Sequence, residues 1–417
     1  MPSIVGIVHS NELLKLSSLS PKYENRFSLV MGLIFAYDLT KNLTRIPPLE
    51  MCSSKEMNYL TLFHSEDYVN FLRLLDEYYE SDDEPKIPDD ISEAFDEYGL
   101  SYDCHGFKGV FSFALAAVRG TLAAVDCLIN SQCQIAINWA GGWHHAKRSE
   151  ASGFCYLNDI VLGIQHLLSA PQFSSGPILY IDLDLHHGDG VEEAFAYSPR
   201  VITFSVHHGA PGFFPGTGVP GGTGEYFVGA RGGRFSCFNL ALGKFHSFVN
   251  YSEGANDETW WSGVEPILTT LHASLHPLAV VIQCGADALS SDPHRTFNLS
   301  ASLNANQQMQ SGYVAALRLV LSWHLPTLIL GGGGYHLADT ARLWLMLTSL
   351  AVSSVTHEEM KIDQDIPEHD NFSSFGPDFT LDVHPSMRPD LNSSVAVDKE
   401  VKRLLKQIDD FRELHKS

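Results

Sequence analysis

An α/β fold built on a mostly parallel sheet is what this sequence predicts, on three observations. Short apolar runs recur along the chain, amphipathic stretches of helical length separate them, and the chemically unusual residues fall just after the apolar runs. Strands that alternate with helices make a parallel sheet covered on both faces. In open α/β sheets, ligands bind beyond the carboxyl ends of the strands.

Met1–His9 has no basic start, and its apolar run is too short for a signal peptide; it reads as a first strand. Val110–Ser131 follows as an apolar helix, then Ile135–Ile137 as a strand and Asn158–Leu168 as a helix. Ile178–Ile181 and Val201–Phe204 are the next strands. The Pro/Gly-rich segment Gly209–Gly233 reads as a long active-site loop, because strand–helix units continue on both sides. Trp261–Ser274 (helix), Leu278–Ile282 (strand), Gly312–Trp323 (helix) and Thr327–Leu330 (strand) complete the alternation. Asp398–Lys416 is a charged amphipathic helix. No tandem repeat is present and no run approaches transmembrane length, so residues 1–417 are expected to form one domain.

The composition is 44% hydrophobic and 18% charged, as in ordinary soluble globular proteins. Seven cysteines, an odd number with no Cys-x-x-Cys pair, point to a reducing, intracellular setting. A net charge of −22 disfavours direct binding of nucleic acid and attracts cationic partners. Eleven carboxylates against the single Lys86 crowd residues 76–97, an expected acidic loop that could guide a Lys/Arg-rich substrate towards Asp103.

The chemistry concentrates in Asp182-Leu-Asp184-Leu-His186-His187-Gly-Asp189, where the strand 178–181 ends. Residues two apart on a strand share a face, which would align Asp182, Asp184 and His186. Side-by-side buried carboxylates require a cation or hydrogen bonds, and two carboxylates with an imidazole form a zinc-type donor set. Asp287, in Gly285-Ala-Asp287 after another strand, is the best candidate for the third ligand. The adjacent His144 and His145 match the two remaining carboxylates, Asp182 and Asp189, as His–Asp dyads. His187 reads as structural. Tyr335, after four glycines, could donate to an oxyanion.

Together Ala140-Gly-Gly-Trp-His-His-Ala146, Gly153-Phe-Cys-Tyr-Leu-Asn158, Asp182–Asp189, Gly212-Phe-Phe-Pro-Gly-Thr-Gly218, Cys284-Gly-Ala-Asp287 and Gly331–Tyr335 resemble the zinc-dependent histone deacetylases of class I. The resemblance runs from the first strand to Arg388–Asn392 and is most similar to the histone deacetylase 8 type. It implies the arginase–deacetylase fold, a central eight-stranded sheet flanked by helices, and hydrolysis of N6-acetyl-lysine, or longer acyl-lysine, in histone tails and other proteins. Asp184, His186 and Asp287 would bind Zn²⁺, with Fe²⁺ an alternative; His145 with Asp189 would be general base and acid; His144 with Asp182 would give electrostatic support; Tyr335 would bond the carbonyl. Asp103, Gly153, Phe154, Phe214 and His294 would line the substrate tunnel and its rim, and Arg26 an inner acetate channel. One K⁺ would lie at Asp182, Asp184, His186, Ser205 and Val206, another at Phe195, Ser198, Val201 and Ser236. The resemblance also implies inhibition by hydroxamate-type chelators, a role in chromatin and transcription, and a location in nucleus and cytoplasm, with no membrane association.

Four features depart from that pattern or go beyond it. His294 stands where an apolar residue is usual, as a titratable donor at the rim. The loop before Arg26, with Lys22 and Tyr23, differs in length, and the Gly-rich segment 219–233 also departs. Cys104 follows Asp103 and Cys155 follows Phe154, which would bring two thiols near the tunnel mouth. Two other readings keep less of the sequence. A polyamine or two-Mn²⁺ guanidino hydrolase would need further carboxylates or a different rim. A silent acyl-lysine binder would have no use for both His–Asp dyads and Tyr335.

Overall fold

The computed structural model describes residues 4–80, 89–221, 225–243, 254–303, 311–356, 360 and 362–415. Eight strands lie within them: β1 Val5–Val8, β2 Leu43–Ile46, β3 Ile135–Asn138, β4 Ile178–Asp182, β5 Val201–His208, β6 Cys237–Leu242, β7 Ala279–Gln283 and β8 Thr327–Leu330. They form one sheet in the order β2-β1-β3-β8-β7-β4-β5-β6, and every pairing is parallel rather than mostly so. The inner strands are short, β-branched and buried along their length, as a sheet covered on both faces requires. The alternation predicted from sequence omitted the two edges. In β2, Thr44 and Arg45 face solvent and break the apolar run. β6 is wholly buried, but only a three-residue 3₁₀ turn, Arg231–Gly233, stands before it in place of an α-helix.

Several helix starts are written in single residues. The side chains of Ser10, Asn158 and Asn256 accept from the backbone N–H three positions on, the usual N-cap bond. The 20-residue helix Val110–Ile129 is long and apolar enough to cross a membrane by length and composition, contrary to the expectation from sequence, yet most of it is buried inside the protein. It packs against β3, β1 and the helix Asp159–Ser169. Its own N-cap, Gly109, offers no side chain; the carboxylate of Asp76 reaches in and accepts from Phe111 N at 2.8 Å and Ser112 N at 2.9 Å. This corrects the reading of 76–97 as an acidic loop. Residues up to Glu80 close the helix Glu66–Glu80, Asp89–Glu97 is a helix, and residues 81–88 lie outside the described residues. The carboxyl-terminal helix runs from Ser394 to Leu414 and covers β6.

The sheet positions the site through its register. Asn138, Leu330, Gln283, Asp182 and Ser205 lie on one rung across β3, β8, β7, β4 and β5. The loops that follow these neighbouring strands therefore leave the sheet at one level and converge.

Candidate active site

Asp184, His186 and Asp287 are the cluster among the described residues whose donor atoms could hold a metal ion: one atom from each lies within 4.8 Å of the others, and all three side chains are buried. β4 ends at Asp182, so the shared strand face expected for 182, 184 and 186 is not how they are arranged. Side-chain bonds replace the strand: Asp182 Oδ1 accepts from Asp184 N at 3.1 Å, and Asp184 Oδ1 accepts from His186 N at 3.0 Å. These two-residue turns send Asp182 towards His144, and Asp184 and His186 towards Asp287.

The carboxylates are fixed from behind. Asp184 Oδ2 accepts from Gln283 Nε2 at 2.8 Å and Gly333 N at 2.9 Å, and Asp287 Oδ1 from Leu185 N at 2.8 Å. A Cβ on Gly333 would collide with Asp287 Oδ2, so this loop approaches only as glycine. His186 Nδ1 lies 2.9 Å from Asp287 and 3.3 Å from Asp184.

Beside this cluster the two histidines make the expected dyads. His144 Nδ1 is 2.7 Å from Asp182 Oδ2, which also accepts from the Tyr180 hydroxyl at 2.6 Å. His145 Nδ1 is 2.7 Å from Asp189 Oδ1, and Lys147 Nζ lies 2.6 Å from the other oxygen. The imidazole rings are 3.9 Å apart, too close in a dry site for both to carry charge. Burial opposes charge on each. For His144 the carboxylates of Asp182 and Asp184 outweigh it and raise its pKa to about 9. For His145 burial and the charge of His144 prevail over Asp189 and lower it to about 3. His145 is thus neutral at pH 7 and able to accept a proton.

The cluster itself has the electrostatics of a cation site. Burial and the charge of Asp184 raise Asp287 to about 7. Burial would lower His186, but its bonds to Asp184 and Asp287 raise it to about 10. Two buried carboxylates and an imidazole within bonding distance of one another form a donor set that fits a borderline divalent metal.

The residues expected at the substrate tunnel lie beside this cluster. The Phe154 ring lies 6.0 Å from Tyr335, and the Phe214 ring 4.9 Å from His145 and 6.0 Å from His186. Gly153 has φ +56°, and a Cβ there would overlap His145 and stand 2.9 Å from Phe214. Asp103 is exposed and accepts from Gly153 N at 2.8 Å. Burial raises the Tyr335 phenol well above its ordinary pKa, which keeps it a donor. The His294 ring lies 5.0 Å from His186 and 4.8 Å from Tyr335, with Nδ1 2.8 Å from Asp292. The same Asp292 accepts from Tyr335 N at 2.8 Å. Arg26 is buried and donates to Gly334 O at 3.1 Å, beside an inner cavity lined by Tyr23, Trp143, His144, Asp184 and Tyr335. Cys104 Sγ lies 4.0 Å from the Cys155 carbonyl, so the two cysteines are neighbours.

Of the residues expected at the cation positions, Ser205 and Val206 lie on β5, Ser205 directly opposite Asp182. Phe195, Ser198 and Val201 share the turn into β5, where Ser198 N donates to Phe195 O at 2.9 Å. Ser236 joins them through Thr203 N, which donates to its carbonyl at 3.0 Å. His187 lies 2.8 Å from Thr217 Oγ1 and 3.3 Å from Glu192, away from the cluster. The sequence reading gave no role to Gln283, Asp292 or Lys147, and named Tyr23 only as part of a departing loop. Gln283 carries a signal in hindsight, a polar side chain closing an apolar strand; Lys147 is another, a cation two residues after His145.

This arrangement sets an Asp–His–Asp cluster that could hold a metal ion beside two His–Asp pairs. The histone deacetylase domain model matches residues 20–351, and the chain belongs to the histone deacetylase family. It is 40% identical to histone deacetylase 8 of Xenopus tropicalis over 405 residues, 96% of this chain and 97% of that protein. It is 38% identical to histone deacetylase 8 of Danio rerio over 398 residues (95% and 93%), and 35% identical to human histone deacetylase 1 over 394 residues (93% and 71%). The fold class predicted from sequence is therefore that of its family, and the protein is a lysine deacetylase.

Proposed function

We propose that this chain removes acetyl groups from lysine side chains of histones and other proteins, with Zn²⁺ or Fe²⁺ at Asp184, His186 and Asp287. The observation that carries the reading is a neutral, Asp189-oriented His145 set directly against a buried Asp–His–Asp cluster. When bound, the metal supplies Lewis-acid activation of the amide carbonyl and of water. His145 takes the proton of the attacking water and returns it to the departing amine as the C–N bond breaks, releasing acetate and free lysine. Asp189 holds the imidazole in the tautomer that presents Nε2 to the reaction, and His144 with Asp182 adds a positive field beside the developing charge. Tyr335 donates to the oxygen that becomes negative.

Phe154 and Phe214 would flank the apolar stem of the lysine. Asp103, with one oxygen on Gly153 N, keeps the other for the substrate backbone. Arg26 beside the inner cavity gives acetate a counter-charge. Ser205 and Val206 on β5, with Asp182, Asp184 and His186, would hold one K⁺, and Phe195, Ser198, Val201 and Ser236 around the start of β5 another. A net charge of −22 favours lysine-rich protein substrates over direct contact with nucleic acid. On this reading the protein regulates chromatin and acts in nucleus and cytoplasm, and hydroxamates inhibit it through the metal.

The test is turnover of an acetyl-lysine peptide with chelator treatment and metal add-back, beside Tyr335→Phe. Metal-restored activity is expected, with Tyr335→Phe reduced by roughly 10²–10³ in kcat. Activity indifferent to chelation would overturn the reading.

A further inference from the structure

Tyr335 follows two glycines with φ +142° and +130°, Gly332 and Gly334, so its backbone alone does not fix its hydroxyl. The rings of Phe154 and His294 contact its faces and edges. Tyr23 is different. It is buried, and its ring centroid lies 5.8 Å from that of Tyr335 at 32°. Both line the inner cavity with Asp184 and His186.

Tyr23 is itself immobilised. Its ring packs 5.2 Å from Trp143, and the Arg26 guanidinium stands 4.1 Å over its face. Arg26 in turn donates to the carbonyl of Gly334, the residue before Tyr335. One short segment, residues 23–26, thus meets Tyr335 twice: the guanidinium at its preceding peptide and a phenol ring beside its own.

From this geometry we propose that Tyr23 is a positioning residue for Tyr335: its hydroxyl donates to the Tyr335 oxygen and so aims and polarises the proton that Tyr335 gives to the substrate carbonyl. A donor that also accepts a hydrogen bond becomes a better donor, because charge shifts along the chain. The guanidinium over the Tyr23 ring favours that direction, since it makes Tyr23 the more acidic phenol of the two.

The inference rests on the deacetylase reading, and the experiment separates the two. Wild type, Tyr23→Phe, Tyr335→Phe and the double variant are assayed as metal-loaded enzymes on an acetyl-lysine peptide, with Tm and metal affinity measured in parallel. Tyr23→Phe is expected to lower kcat about two- to ten-fold, the effect of one neutral hydrogen bond, with KM and metal affinity unchanged. In the Tyr335→Phe background the same change is expected to have no effect, because the partner hydroxyl is gone. Equal fractional losses in both backgrounds, or a change confined to KM, would show that Tyr23 only packs. An inactive wild type would instead overturn the deacetylase reading itself.

Discussion

Asp189 divides its two carboxylate oxygens between His145, whose Nδ1 lies 2.7 Å from one, and Lys147, whose Nζ lies 2.6 Å from the other. Burial alone would raise the pKa of Asp189, but the bond to His145 and the charge of Lys147 outweigh it and hold the group well below the usual carboxylate range. Lys147→Met leaves the whole carboxylate to His145 and removes a nearby positive charge. The imidazolium then becomes easier to form, so the acidic limb of kcat/KM is expected to move to higher pH. A depressed carboxylate pKa stabilises the fold above about pH 4 and that contribution is lost as pH falls further. The variant should therefore be less stable at pH 7, by about 3 kcal/mol for a mostly buried pair, and its Tm should fall less between pH 7 and pH 3. An unmoved acidic limb would count against the coupling.

Metal removal should show the opposite pH dependence. With Asp287 raised to about 7, the stability contributed by its protonated form declines as pH rises from about 4 through 7. Metal binding requires the deprotonated ligands. The gap in Tm between metal-loaded and metal-free protein is expected to widen from pH 5 to pH 8, with protons released on metal addition at pH 6. Calorimetry in two buffers of different ionisation enthalpy measures that release.

Gly153→Ala tests the tunnel wall. The new methyl would meet His145 and Phe214, and φ +56° disfavours any side chain. Displacing the base by a fraction of an ångström is expected to reduce kcat about 10²-fold, with metal affinity retained. A variant with wild-type turnover would mean that His145 tolerates displacement.

His294 is about one-third exposed and anchored by Asp292. Because Asp292 also holds Tyr335 N, the two substitutions should differ. His294→Ala is expected to weaken a hydroxamate inhibitor about three- to ten-fold and to leave kcat within about two-fold, as a rim contact would. Asp292→Ala should lower kcat itself. Stopped-flow binding and steady-state turnover distinguish them.

Much of this site was legible in sequence because its residue types are costly anywhere else. Two carboxylates and an imidazole at the end of a buried strand, or paired histidines after another, have few physical explanations, and Asp184, His186, Asp287, His144 and His145 do converge. The supports were less legible. Lys147, Gln283 and Tyr23 act through contacts made by the fold, and the local signals at Lys147 and Gln283 do not say which partner each one meets. The edge strands failed for a related reason: β2 exposes Thr44 and Arg45, which erases the apolar signal. Residues 76–80 and 89–97 misled because charge density resembles a loop even where the backbone is helical.

The rung shared by Asn138, Leu330, Gln283, Asp182 and Ser205 also sets a timetable. β7 and β8 are inserted between β3 and β4, so the loops carrying His145 and Asp184 are held apart until the last two strands arrive. Such non-local pairing comes late in folding. A nascent chain, threading out from its amino terminus, cannot present the finished metal cluster until Asp287 and the strand ending at Leu330 have emerged. Uptake of the ion is therefore a report that the sheet has closed, and a ribosome-bound fragment ending before β7 should bind no metal at this site.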